Sequence, residues 1–175
     1  MVTREEPRPG LGGEAAHHAA YLRFLRATVL ERCGSLPVAE QRRAHVPSGW
    51  SPLELLDHLA HVERRWIVWG FLAEPVPDPW GDWWRGDTTT RWHVAEDRTF
   101  EDVAADLGAV AARTEEVLAT TPLGTRARVG GRFGPATGEE APDLRWILFH
   151  LLQEYARHAG HLDVAVEVAD GPTGE

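Results

Sequence analysis

The 175-residue chain contains no lysine and no asparagine, and all 18 of its basic side chains other than histidine are arginine. That excludes a lysine Schiff base, a P-loop lysine and an N-glycosylation sequon. Serine occurs only at Ser35, Ser48 and Ser51, none of them in a Gly-x-Ser-x-Gly elbow. The single cysteine, Cys33, excludes an internal disulfide and a zinc site built on paired cysteines, and it reads as a small buried filler. Long apolar runs are missing, so no transmembrane span is expected, and Arg4, Glu5, Glu6 and Arg8 leave no room for a signal-peptide core. Basic runs are missing too. A net charge of −9 argues against a nucleic-acid surface, which needs clustered positive charge. The expectation is a cytoplasmic protein, monomer or homodimer, with no nucleic-acid or membrane partner.

A chain of this length buries roughly 70% of the surface it exposes when unfolded, so it needs no metal or disulfide merely to fold. Residues 1–12, rich in proline, glycine and charge, read as a flexible arm ahead of one domain spanning 13–175. Apolar residues at helical spacing predict a helix over 14–33, with Gly34 just past its end. A helical turn within 38–44 is possible in the linker that follows. Ser51-Pro52-Leu53-Glu54 is a capping box with proline at the first helical position, opening a helix over 52–72. Thr99 and Asp102 open a third long helix, 99–120, and the fourth runs from Pro142 to Val168 before Asp170-Gly171-Pro172. The segments 73–98 and 121–141 lack either periodicity, apart from a short hairpin the second could hold. The fold class is therefore all-α, a four-helix bundle with long inter-helix loops.

On the fourth helix Ile147, Leu151, Tyr155, Leu162 and Ala165 form an apolar arc, and Glu154 and His158 fall within it. An ionisable pair on a buried face is costly unless something compensates it. On the second helix His58 sits at the margin of a stripe of Leu55, Val62 and Trp69. His58, Glu154 and His158 together make a set of two histidines and one carboxylate. That set suits Zn²⁺ with an open coordination position, and the same donors also serve Ni²⁺, Fe²⁺ or Mn²⁺. The competing interpretation is an ordinary i,i+4 pair and a hydrogen-bonded core histidine. His161, one turn beyond His158, is a candidate acid/base or supporting partner, and His61 a weaker one. Trp80, Trp84 and Trp92, with Trp83, either line a substrate mouth or pin the long loop to the bundle.

Several runs carry a resemblance to a known family: Gly49-Trp50-Ser51-Pro52, Leu56-Asp57-His58-Leu59-Ala60-His61-Val62-Glu63-Arg64-Arg65-Trp66, Glu74-Pro75-Val76-Pro77, Pro79-Trp80-Gly81, Leu144-Arg145-Trp146-Ile147-Leu148, Glu154-Tyr155-Ala156-Arg157-His158-Ala159-Gly160-His161 and the closing Asp170-Gly171-Pro172-Thr173-Gly174-Glu175. From about residue 20 onward the chain resembles the actinobacterial mini-circle branch of the DinB-like superfamily. These are metal-binding four-helix bundles related to mycothiol-dependent maleylpyruvate isomerase and to mycothiol S-transferases. The resemblance places the three metal ligands at His58, Glu154 and His158, and a glutamate at the second position is the pattern of the mycothiol-linked members. The chain departs from the branch at Asp163-Val164-Ala165-Val166, where an arginine is common.

The resemblance implies a zinc-dependent thiol S-transferase with mycothiol or a similar small thiol as co-substrate and an electrophilic small molecule as acceptor. His161 would move the thiol proton, and Trp80, Trp84 and Trp92 would cover the electrophile. The alternatives are a zinc hydrolase of the same fold and a non-catalytic metal- or ligand-binding bundle acting as sensor or carrier.

Overall fold

The computed structural model describes residues 5–135, 138 and 140–173. Residues 1–4 of the expected arm, and Gly174 and Glu175 of the closing run, lie outside the described residues, and 5–12 carry no helix. The helices are α1 (Glu14–Gly34), the short α2 (Val38–Gln41), α3 (Pro52–Arg64), α4 (Phe100–Thr120) and α5 (Leu144–Val168). Among the described residues there is no strand. Among the described residues, isolated antiparallel bridges pair Trp83 with Trp92 and Arg126 with Asp143 and pinch the long loops.

Local chemistry sets most of these boundaries. The Ser51 hydroxyl accepts the Glu54 N–H at 3.3 Å, while the Glu54 carboxylate accepts the Ser51 N–H at 2.8 Å. Thr99 and Asp102 repeat the device at the start of α4. At α5 the expected start at Pro142 moves to Leu144, because Asp143 acts as the cap and accepts the Trp146 N–H at 2.9 Å. Gly34 is the last residue of α1, not the first beyond it. Ser51→Ala removes one partner of a reciprocal cap, so we expect a loss of about 1 kcal/mol in urea unfolding. An unchanged midpoint would show that the α3 start is held by packing alone.

The sequence predicts one helix over 52–72, but α3 ends at Arg64 and Arg65–Phe71 form a π-helical turn. The last turn of a helix leaves carbonyls without partners inside it. Those of Trp69 and Phe71 accept the backbone N–H groups of Arg132 and Arg128 at 3.1 and 3.0 Å, docking the second long loop. At Gly131 a Cβ would stand 2.0 Å from the Trp69 carbonyl oxygen, so the close approach requires glycine.

Helix α1 runs along α5, and α3 packs against both α4 and α5. Leu22 and Val29 from α1, Leu55 and Leu59 from α3, Val103 and Leu107 from α4, and Ile147, Leu151 and Leu162 from α5 are buried in one core. Cys33 is buried there and free, and burial pushes its thiol up to about 12. It is therefore no thiolate at neutral pH. Among the described residues no helix is long and apolar enough to cross a membrane.

Candidate metal centre

His58 lies on α3 and Glu154 and His158 on α5, with the two histidines buried and the glutamate half-buried. One ligating atom from each lies within 4.8 Å of the others. Their i,i+4 spacing puts Glu154 Oε2 3.3 Å from His158 Nε2. The His58 and His158 rings meet edge to face, with centroids 5.2 Å apart.

Each imidazole is held through its other nitrogen. His58 Nδ1 is 2.7 Å from Asp82 Oδ2, which leaves Nε2 as the nitrogen available to coordinate an ion. His158 Nδ1 is 3.4 Å from His161 Nδ1. Histidines that bind metals are commonly oriented in this way by a carboxylate or another acceptor. Asp82 is itself buried, and Arg65 grips it with Nη1 at 2.5 Å from Oδ1 and Nη2 at 3.2 Å from Oδ2. Arg65 also donates to the Pro79 carbonyl at 3.0 Å and lies 4.5 Å below the Trp80 ring.

The protonation states suit a cation. Burial lowers His58 below its ordinary value, although Asp82 pulls the other way, so the ring is neutral at pH 7. The hydrogen bond from His158 lowers Glu154, so it is an anion. For Asp82, burial raises the carboxyl but the bonds from His58 and Arg65 outweigh it, and the net shift is downward. Two imidazoles and an anionic carboxylate are a donor set that fits a small divalent ion such as Zn²⁺.

The tryptophans separate. Trp92 stacks on His58 with centroids 4.0 Å apart and the planes 19° apart, and it meets the His158 ring edge-on at 5.5 Å. Trp83, its bridge partner, is edge-on to His58 at 6.4 Å. Trp80 contacts Trp69 and Arg65, and so reaches the cluster only through the Arg65–Asp82 pair. Trp84 is 36% exposed and packs on His93 between Arg85 and Arg91. The bridge to Trp92 holds Trp83 beside His58, whereas Trp84 opens a single 3-10 helical turn, Trp84–Gly86, and packs outside the cluster. His161 is exposed and meets the cluster through His158. His61, the weaker candidate, bonds back to the Asp57 carbonyl at 3.1 Å.

Sequence reasoning missed the roles of Asp82 and Arg65, while Trp83, named there beside the other tryptophans, does reach the cluster. The available signal was an aspartate inside a tryptophan-rich segment too long to be a simple connector.

Long helices that gather two imidazoles and a carboxylate at one point define a helical bundle able to hold a divalent ion. The sequence model of the mycothiol S-transferase family matches residues 18–171, nearly the whole bundle. The chain belongs to that family. No curated protein matches it significantly.

Proposed function

We propose that the protein is a metal-dependent S-transferase that joins mycothiol, through its sulfur, to a small electrophile, with Zn²⁺ held by His58, Glu154 and His158. The observation that carries this reading is the convergence of those three donors from two helices, with both imidazoles fixed from behind. A bound Zn²⁺ supplies Lewis acidity that makes a coordinating thiol acidic enough to react as a thiolate at neutral pH.

The remaining work falls to the chain. One anionic ligand and two neutral ones leave the centre an excess of positive charge, which favours an anionic sulfur in a site partly closed to water. Trp92 and Trp83 wall the cluster with apolar surface, so a developing thiolate meets little competing water. Their indole N–H groups are buried and have no hydrogen-bond partner among the described residues, which leaves two donors for oxygen atoms of the substrates. His161, exposed beside His158, accepts the proton lost from the thiol at Nδ1, giving up its hold on His158 Nδ1–H while it is protonated. The sulfur electron pair then forms the S–C bond. The electrophile either expels its leaving group with the bonding pair or, in an addition, takes the proton back. A small-molecule thiol confined to such a centre fits a cytoplasmic enzyme.

The test is conjugation of mycothiol to monochlorobimane by protein stripped with a chelator and then reloaded with Zn²⁺, Ni²⁺, Fe²⁺ or Mn²⁺, with metal content measured alongside. Conjugation should vanish on stripping and return best with Zn²⁺. Conjugation indifferent to stripping would overturn the metal's role. Hydrolysis of ester substrates in place of conjugation would favour the hydrolase, and metal retained with neither reaction would favour a sensor or carrier.

A further inference from the structure

A second site lies along the same helix pair. The residue one turn before Glu154 on α5 is His150, whose Nε2 is 3.9 Å from Glu154 Oε1. One turn earlier again is Trp146, whose ring stacks parallel to His150 with centroids 5.5 Å apart. Trp66, from the π-helical turn, closes the group at 4.2 Å from His150 and 5.4 Å from Trp146. Trp66 lies eight residues beyond His58, and Trp146 eight before Glu154. At 1.5 Å of rise per residue, both tryptophans stand about 12 Å along the seam from the cluster.

Beside them is a cavity of about 540 Å³. Trp66, Phe133 and Trp146 supply aromatic wall, while Arg126, Glu140 and Asp143 supply charge. Its volume falls within the roughly 300–1,000 Å³ of small-molecule sites. Trp146 is 51% exposed although it is a large apolar side chain, so the platform is accessible without rearrangement.

We propose that this cavity binds the sugar part of the thiol substrate, a polyhydroxylated ring stacked on Trp146 beside the Arg132-covered Trp66, while its sulfur reaches the His58–Glu154–His158 cluster. The proposal rests on the S-transferase reading and names what that reading leaves open, the hold on the thiol beyond its sulfur. Mycothiol carries its cysteine on a pseudodisaccharide. Such rings present C–H faces that pack on the electron-rich face of an indole, and hydroxyl edges that bond to carboxylate and guanidinium groups. The wall offers both kinds of partner. An apolar electrophile would cover Arg126, Glu140 and Asp143 without returning a hydrogen bond. The separation along the seam suits a molecule whose thiol and rings are joined through an amide linkage. The docked second loop, fixed to the π-helical turn through the carbonyls of Trp69 and Phe71, provides Arg126, Phe133 and Glu140 as the far wall.

Two measurements test the proposal. In the first, metal-free protein is titrated calorimetrically with glucosaminyl-inositol, the thiol-free pseudodisaccharide, which requires neither metal nor turnover. Saturable binding is expected, lost in Trp146→Ala, with circular dichroism confirming that the exposed substitution leaves the helices intact. In the second, KM is measured with mycothiol and with N-acetylcysteine, which has no sugar. Trp146→Ala should shrink the preference for mycothiol about tenfold, the upper end of what one lost aromatic stacking partner costs. No sugar binding, or equal binding by Trp146→Ala, would overturn the proposal. So would a Trp146→Ala effect confined to the KM of the electrophile, which would assign the cavity to that substrate. Failure of the S-transferase reading would remove the KM comparison while the calorimetric result still stood.

Discussion

Glu63→Ala is expected to destabilise the protein by about 3–5 kcal/mol, the cost of leaving a buried charge without its partner. Glu63 has no exposed surface and is enclosed by four helices. From α1, Arg26 donates Nη2 to Oε1 at 2.5 Å and Nε to Oε2 at 3.0 Å. Tyr155 of α5 donates its hydroxyl to Oε2 at 2.6 Å, and Thr114 of α4 donates to Oε1. Removing the carboxylate takes the close partner from a buried guanidinium and orphans the Tyr155 hydroxyl, while Thr114 keeps its bond to the Val110 carbonyl. Burial alone would lower Arg26, but the Glu63 charge outweighs it and holds the guanidinium above its ordinary value. Burial and the same negative charge push Tyr155 well above its ordinary value, so its hydroxyl stays a donor at neutral pH.

Urea unfolding of metal-free protein checks this, reading the midpoint at constant slope. Tyr155→Phe, which removes one donor and keeps the ion pair, should cost only about 1 kcal/mol. The double substitution Arg26→Met with Glu63→Leu should recover most of the loss, because replacing both partners with apolar groups leaves no orphaned charge. A Glu63→Ala midpoint close to the parent's would mean that water reaches Arg26 and that the network does not organise the core.

The contrast between Glu154 and Glu63 explains how far the sequence could be read. Glu154 and His158 stood out because both fall on the apolar arc of one helix, and periodicity turns position into burial. The capping residues Ser51, Thr99 and Asp143 act within three positions of themselves, so short windows contain their whole interaction. Glu63 gave no such warning. It neighbours the half-buried Arg64 at the end of α3, and its partners lie 37, 51 and 92 residues away. The π-helical turn was hidden for a related reason: no local pattern marks it, and the loop that docks on its last carbonyls, through the N–H groups of Arg128 and Arg132, comes from far along the chain. The tryptophan-rich segment was legible as ordered but not as oriented. Which indoles face the cluster depends on the bridge between Trp83 and Trp92, a pairing between residues nine apart with no pattern around it.

Asp82 belongs to that unreadable segment, and its replacement should weaken the metal centre most among the residues that touch no ion. In Asp82→Asn the side chain keeps its shape and one acceptor but loses its charge. His58 Nδ1–H then has a weaker partner, and the ring is less firmly held with Nε2 toward Glu154 and His158. Loss of such an outer partner commonly weakens metal binding about 10–100-fold, and we expect Asp82→Asn near the lower end and Asp82→Ala near the upper. Asp82→Ala has a second consequence, because Arg65 is 3% exposed and would lose the carboxylate that neutralises it. Its metal-free form should therefore unfold at lower urea by about 3 kcal/mol or more. The pH dependence has a definite sign. Burial raises the Asp82 carboxyl, the bonds from His58 and Arg65 lower it further, and the folded value lies below the unfolded one. Its stabilisation is thus present at neutral pH and fades as the pH falls through the carboxylate range. Competition with a chromophoric chelator measures the metal affinity, and unfolding of the stripped protein measures the structural part. A purely structural Asp82 would shift unfolding in both variants and leave the affinity of folded Asp82→Asn at the parent value, which would overturn its role in positioning His58.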